Sequence, residues 1–166
     1  MLVYHPAYDA YHCLFRMMSI IERVDEVELD KLKILDFYML FPALLKLVRM
    51  PRQFTKFKKD AERIKNEYHD PINPLVTFKD MKHIQEAAIK CMLATGYIDS
   101  KFFSEGIIKR SDKKIASSLK IKMDDFISRR EPFSSFIIDK LAKFHLVGPD
   151  GLKSRTQLME YRYDIY

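Results

Sequence analysis

The residues able to act as nucleophile, base or soft metal ligand are few. His12 stands beside Cys13, His5 precedes them, and His83 lies eight residues before Cys91. A Cys–His couple needs its sulfur and imidazole within hydrogen-bond reach. Eight residues along one helix separate two positions by about 12 Å at a rise of about 1.5 Å per residue, too far for His83 to activate Cys91. A metal site built on His5, His12 and Cys13 needs a second Cys/His pair at ligand spacing, and none accompanies it. Asp124-Asp125 adjoins Lys122 and Arg129-Arg130, which at helical spacing gives an ion-paired solvent face rather than an acid–base couple. Neither G-x-x-x-x-G-K-[ST] nor G-x-G-x-x-G occurs, and four glycines in all leave little backbone for a phosphate cradle. These residues predict a chain that is not an enzyme, with no catalytic set, cofactor or metal.

The basic side chains carry the other kind of chemistry. Lys56, Lys58, Lys59, Arg63 and Lys65 crowd one predicted helix, and Lys109, Arg110, Lys113 and Lys114 crowd a predicted wing-to-helix junction. Clusters of this kind meet phosphates or an acidic protein through charge alone. They are also what an ordinary solvated helix face looks like. Neither cluster offers an Arg/Asn/Gln set for base edges, so double-stranded DNA would be met without sequence readout. The net charge of +6 is uneven: residues 1–45 hold four Lys/Arg against seven Asp/Glu, a balance of −3 that leaves +9 for the rest. An acidic end and a basic body suggest different partners.

Those side chains must be positioned by helices. Four glycines beside abundant Leu, Ile, Met and Lys favour helix over sheet, and a 48% hydrophobic fraction suffices for a core at 166 residues. The spacing predicts an extended arm over 1–9, then a helix over 10–24 capped by Asp9, with Tyr11, Leu14, Phe15, Met18 and Ile21 inward. Asp25, Glu26 and Glu28 form an acidic link. Leu29–Pro42 is the most apolar run and predicts a central core helix, with Asp30, Lys33 and Asp36 on a narrow solvent-facing strip. Residues 43–50 make a short apolar turn or helix.

A helix over 52–68 has Phe54, Phe57, Ala61, Ile64 and Tyr68 as its apolar seam. Thr77 with Asp80 predicts a capping box for a helix over 78–95, closed by Gly96, with Met81, Ile84, Ala88 and Met92 inward. A strand follows at Ile107-Ile108-Lys109. Ser111 or Asp112 caps a helix through Ile115, Leu119, Met123, Phe126 and Ile127, ended by Pro132. Another helix runs over 134–145, then a turn over 147–152, and 152–166 is a strand pair or a tail. Cys13 and Cys91, both on apolar helical patterns, are expected as buried free thiols of a reducing cytoplasm. No signal peptide or membrane span is expected.

The expected fold is mainly α: one helical domain, with a subdivision near residue 111, winged-helix-like units and short accessory β-hairpins. The order helix, Gly, apolar pair, turn, strand over 78–110 and again over 134–160 suggests the wings; a helical bundle with a few strands fits nearly as well. A free-standing winged-helix DNA-binding regulator is the alternative reading on that basis.

YHPAYDAYHCLFRMM (Tyr4–Met18) and LKILDFYMLFPALL (Leu32–Leu45) resemble the N-terminal signature of the small middle components of bacterial ABC-three-component systems, which are related to Lamassu-type defence. The resemblance covers about the first 50 residues and carries no catalytic motif. It implies a non-catalytic accessory subunit that links an SMC- or ABC-type ATPase to an effector, often a nuclease, in protection against phage or plasmids. On that reading Tyr4, Tyr8, Tyr11, Phe37 and Tyr38 form an aromatic face for packing and partner contact, and the basic helix faces DNA or an acidic partner.

Overall fold

The computed structural model describes residues 5–164. Helix α1 (Ala10–Ile21) begins where the Asp9 carboxylate accepts a 2.9 Å hydrogen bond from the His12 amide. Before it, Pro6–Tyr8 forms a single 3-10 turn within the stretch expected as an extended arm, between His5 and Asp9, whose backbones are extended. The buried face of α1 is Cys13, Arg16, Met17, Ser19, Ile20 and Ile21; of the predicted inward set Ile21 is buried, Leu14, Phe15 and Met18 are half-buried, and Tyr11 is 84% exposed. This face sets Arg16 against a carboxylate of the next helix.

That next helix, α2 (Leu29–Leu40), is the centre of the fold, packed by α1, by α4 (Pro74–Ala94) and by α7 (Phe133–Asp139). Every residue of α2 from Lys31 to Leu40 is buried. The expected solvent strip is therefore wrong: Asp36 is fully buried and Lys33 nearly so, each held by partners rather than by water. Phe41 ends the helix, and Pro42–Leu47 continues as a 3-10 helix that buries Ala43, Leu44 and Leu45.

α3 (Thr55–Arg63) is shorter than predicted. Beyond Arg63 the chain folds on Asn66 and Asp70: the Asn66 amide donates to the Asp70 carboxylate at 2.7 Å, and the Asn66 side chain accepts from the Tyr68 amide at 3.1 Å. Such local side-chain bonds compete with the helical ladder. Ile64 and Tyr68 consequently leave the apolar seam and are exposed. α4 starts four residues before its predicted start, with Asn73 as cap (3.2 Å to the Val76 amide) and Pro74 in the first turn. Met81, Ala88 and Met92 are buried as expected. Gly96, at φ +71°, closes the helix while the Tyr97 amide reaches back to the Met92 carbonyl at 2.9 Å. Cys13 is buried, but Cys91 is exposed.

The expected strand lies at Ile107–Lys109, after α5 (Ser100–Ser104), and is β2. Its partner is β1 (Glu26–Glu28), the segment expected to be an acidic link, paired antiparallel with Val27 opposite Ile108. The two segments lie some eighty residues apart, so they do not form a hairpin wing, and no strand occurs within 134–160 among the described residues. The mainly α expectation holds, and beside β2 an isolated antiparallel bridge joins Ile98 to Arg110 within the stretch of the first expected wing. α6 (Ser117–Ser128) starts after Ala116, later than the cap expected at Ser111 or Asp112; the Ser111 hydroxyl donates to the Gly96 carbonyl and accepts from the Lys113 amide in a local turn. α7 stops at Asp139, and 141–143 is a 3-10 turn. After the turn at 147–151 comes α8 (Leu152–Thr156), where a strand pair or tail was expected. Gly151 permits that corner, since a Cβ there would meet the Val147 carbonyl oxygen at 2.2 Å. One cluster of buried side chains runs from Ala7 to Leu158, across the subdivision expected near 111.

Candidate partner and nucleic-acid interface

α3 presents the first basic cluster. The helix is fixed from beneath by aromatic contacts: Phe57 stacks on Phe136 at 4.0 Å and meets Phe133 edge-on at 5.1 Å, while Phe54 meets Phe136 edge-on at 5.1 Å. Ala61 is buried one turn further on, where a larger side chain would lift the helix. With that side committed to packing, Lys56, Lys59 and Arg63 recur at i, i+3 and i+7 on an outward face, and all three are exposed. Lys58 is half-buried and Lys65 lies beyond the helix end. Arg63 pairs with Asp60 at 3.1 Å and Lys65 with Glu67 at 3.6 Å. Lys56, Lys58 and Lys59 make no ion pair among the described residues.

The second cluster is mostly absorbed into the fold. Lys109 bonds Glu26 across the two strands at 2.7 Å and lies over the Phe102 ring, and the hydrogen bond to Glu26 holds its ammonium pKa up. Arg110 stacks on Tyr97 at 4.1 Å, pairs with Glu22, and donates to the carbonyls of Ser111 and Lys113. Tyr97 donates to the same Glu22 at 2.7 Å. Burial tends to raise the Glu22 pKa, but the bonds from Tyr97 and Arg110 outweigh it and keep the carboxyl below its usual range; burial and Glu22 push the Tyr97 phenol up. Lys113 donates to the Thr95 carbonyl. These residues clamp the end of α4 to the sheet, and Lys114 is the exposed remainder.

Of the five aromatics, Tyr4 lies outside the described residues. Phe37 and Tyr38 are interior, which corrects their place on a contact face: Phe37 packs edge-on against Tyr38, Phe41 and Phe78. Tyr8 and Tyr11 are exposed.

Sequence reasoning missed the polar centre beneath these surfaces. Arg16 donates to Asp36 through Nε at 2.8 Å and through a second nitrogen at 3.3 Å. Gln85 of α4 donates to Asp36 and to the Lys33 carbonyl, both at 3.0 Å, and the Cys13 thiol lies 3.8 Å from the same carboxylate. Burial, and then Asp36, push the Cys13 pKa up, so the thiol stays protonated and able to donate. The available signal was Arg16 itself, a charge on the Cys13, Met17, Ile20 face. A second cluster ties the N-terminal segment down: His5 stacks on His69 at 5.3 Å and 13°, and Phe41 lies 5.4 Å from His69.

The fold is mainly helical, and the basic face of α3 rides on an aromatic seam. The chain belongs to the ABC-three component (ABC-3C) system Middle Component 5 family, which it matches over residues 2–164. It is therefore an accessory component of a multi-protein ABC-three-component defence system. The two segments that carry the sequence resemblance are those that supply Arg16 and Asp36. No curated protein and no solved structure matches the chain. No helix among the described residues is long and apolar enough to cross a membrane.

Proposed function

We propose that the chain is a non-catalytic adaptor, in the cytoplasm, that links an SMC- or ABC-type ATPase to an effector nuclease of its system. α3 carries an outward basic face, and one core drawn from both halves of the chain holds it in place. The observation that carries the reading is α3: a nine-residue helix whose apolar side is spent on the aromatic seam and whose other side offers Lys56 and Lys59 outside any ion pair among the described residues. Such a face meets a phosphate backbone by charge and without sequence preference, which fits a DNA contact made while the ATPase holds the duplex. The absorbed second cluster confines this role to α3.

Co-expression of the ATPase, effector and this chain, followed by affinity purification through a tag on this chain, tests the reading. Recovery of both other subunits is expected. Recovery of neither would refute the adaptor role.

A further inference from the structure

The chain leaves α8 through Gln157, the single non-glycine residue with a positive φ (+56°) among the described residues. Leu158, 4% exposed, then pins it into the core. The stretch that follows, 159–164, is held far more loosely, and none of its residues is buried. Its hydrogen bonds are internal. The Glu160 carboxylate accepts from the Tyr161 and Arg162 amides at 3.0 and 2.9 Å, and the Asp164 amide donates to the Tyr161 carbonyl at 3.5 Å. Among the described residues, its one polar tie to the body is the ion pair of Asp164 with Lys153 of α8, at 3.5 Å. A segment with its own bonds and few outside it opens as a unit, without unfolding the rest.

The surface that it borders is neither flush nor satisfied. Residues 158–160 line two hollows, one of about 340 Å³ with Leu75 and Lys79, and one of about 410 Å³ shared with Lys33, Gln85, Glu86 and Lys153. Gln85 Oε1 and Asp164 Oδ2 are the only buried side-chain oxygens or nitrogens without a hydrogen-bond partner among the described residues. Unpartnered buried polar atoms work against the closed arrangement. The charges are no better settled. Lys153 is shared between Asp164 and Asp30 at 3.5 and 3.4 Å, Asp30 also faces Lys33 at 3.9 Å, and Lys33 faces Glu86 of α4 at 3.5 Å. None of these contacts is as close as the 2.8 Å of Lys31 to Glu28 or the 2.7 Å of Lys109 to Glu26. Signs alternate along this series, so withdrawing Asp164 at one end frees Lys153 for Asp30 and loosens Asp30 from Lys33.

We infer that residues 159–164 are a strap that swings between closed and open positions, pivoting at Gln157 and Leu158, with Asp164 on Lys153 as its latch. Opening gives the Asp164 carboxylate to water, widens the larger hollow and shifts Lys33 from Asp30 toward Glu86. The position of the strap is thereby felt on α2 and α4. The strap gates the hollow, and anything bound there favours the open state. The device belongs to the fold and operates whichever subunits the chain joins.

Hydrogen exchange on the full chain, followed at single amides by NMR, tests the opening. In the wild type the Tyr161 and Arg162 amides should exchange at least about a hundredfold faster than the amides of α2. Leu35→Ala should speed α2 and leave the strap unchanged, because the strap opens without the core. Asp164→Asn should speed strap exchange about two- to fivefold, the effect of losing one partly exposed ion pair, with an unchanged melting temperature. The gate is measured at Lys33. Its acetylation by acetic anhydride, followed by mass spectrometry, should quicken by a similar factor in Asp164→Asn, while Lys90, exposed on α4, labels at the wild-type rate. Strap amides that exchange no faster than α2, or that follow Leu35→Ala, overturn the strap. Exchange unchanged by Asp164→Asn overturns the latch, and faster exchange with unchanged labelling of Lys33 overturns the gate.

Discussion

At the scale of single residues, the pairing of Arg16 with Asp36 is the point on which the interior turns. Both side chains are essentially withdrawn from water, and the carboxylate takes donors from Arg16 and Gln85 with the Cys13 thiol beside it. A buried charge deprived of its partner is costly, about 3–5 kcal/mol, whereas apolar replacement of both members is often close to neutral. Asp36→Leu should therefore lower unfolding stability by about 3–5 kcal/mol in urea titrations, and Arg16→Met with Asp36→Leu should recover most of the loss. A double variant no better than the single would show that the pair is not an isolated unit. The stacked imidazoles give a second prediction. Burial first, and then the neighbouring His5, hold the His69 pKa below the ordinary value. The unfolded chain, with an imidazole near pH 6.5, takes the proton first, so the stability due to neutral His69 is full above about pH 6.5 and is lost as pH falls through that value toward the folded one. The melting temperature should drop between about pH 7.5 and about pH 5, and His69→Phe should flatten that drop. An unchanged profile would locate the acid sensitivity elsewhere.

At the scale of elements, α2 was the most legible part of the chain and also where a sequence argument misjudged a face. Its apolar content announced a core helix, and Leu35 is fully buried. Leu35→Ala should cost about 2–5 kcal/mol, read from the urea midpoint; a near-wild-type midpoint would mean that the site collapses around the smaller side chain. What periodicity could not reveal is that Asp36 meets Arg16 of α1 and Gln85 of α4 and that Lys33 meets Glu86 of α4, while Asp30 pairs with Lys153 of α8. Charged residues at a spacing of three look alike whether water or a buried arginine answers them. The same limit explains β1. Glu26-Val27-Glu28 has strand alternation in only three residues, and its partner lies far along the chain, so nothing local distinguishes it from a link. Caps were legible where their chemistry was local: Asp9 and Gly96 do what their residue types suggest. Ser111 does not, because its hydroxyl serves a local turn that accepts from the Lys113 amide, and α6 begins only at Ser117. For the interface, composition identified the basic α3 but not its end. The loss of Ile64 and Tyr68 from the α3 seam arises from the Asn66 and Asp70 bonds that stop the helix short.

At the scale of the whole molecule, the uneven charge separates two kinds of contact that the sequence alone merged. Lys109 and Arg110 are bound into the fold while Lys113 and Lys114 stay exposed, so under the proposed function a duplex would meet chiefly α3. Contacts to phosphates release counterions, and the logarithm of the binding constant falls with the logarithm of salt at a slope of about 0.9 per neutralised phosphate. Lys56→Ala, Lys59→Ala and Arg63→Ala combined should weaken duplex binding by similar factors for any sequence and lower the salt slope by about two to three units, measured by fluorescence anisotropy across a salt series. Lys109→Ala and Lys113→Ala should change the slope little, while their loss shows in melting temperature, since these side chains hold β2 and the end of α4. The opposite pattern, with the slope carried by Lys109 and Lys113, would mean that the strand-to-helix junction opens when the chain meets DNA. That would move the phosphate-facing surface from α3 to the seam between the core and α6. A flat salt response from every variant would instead leave α3 as a protein-facing helix, its lysines answering carboxylates of a partner rather than phosphates.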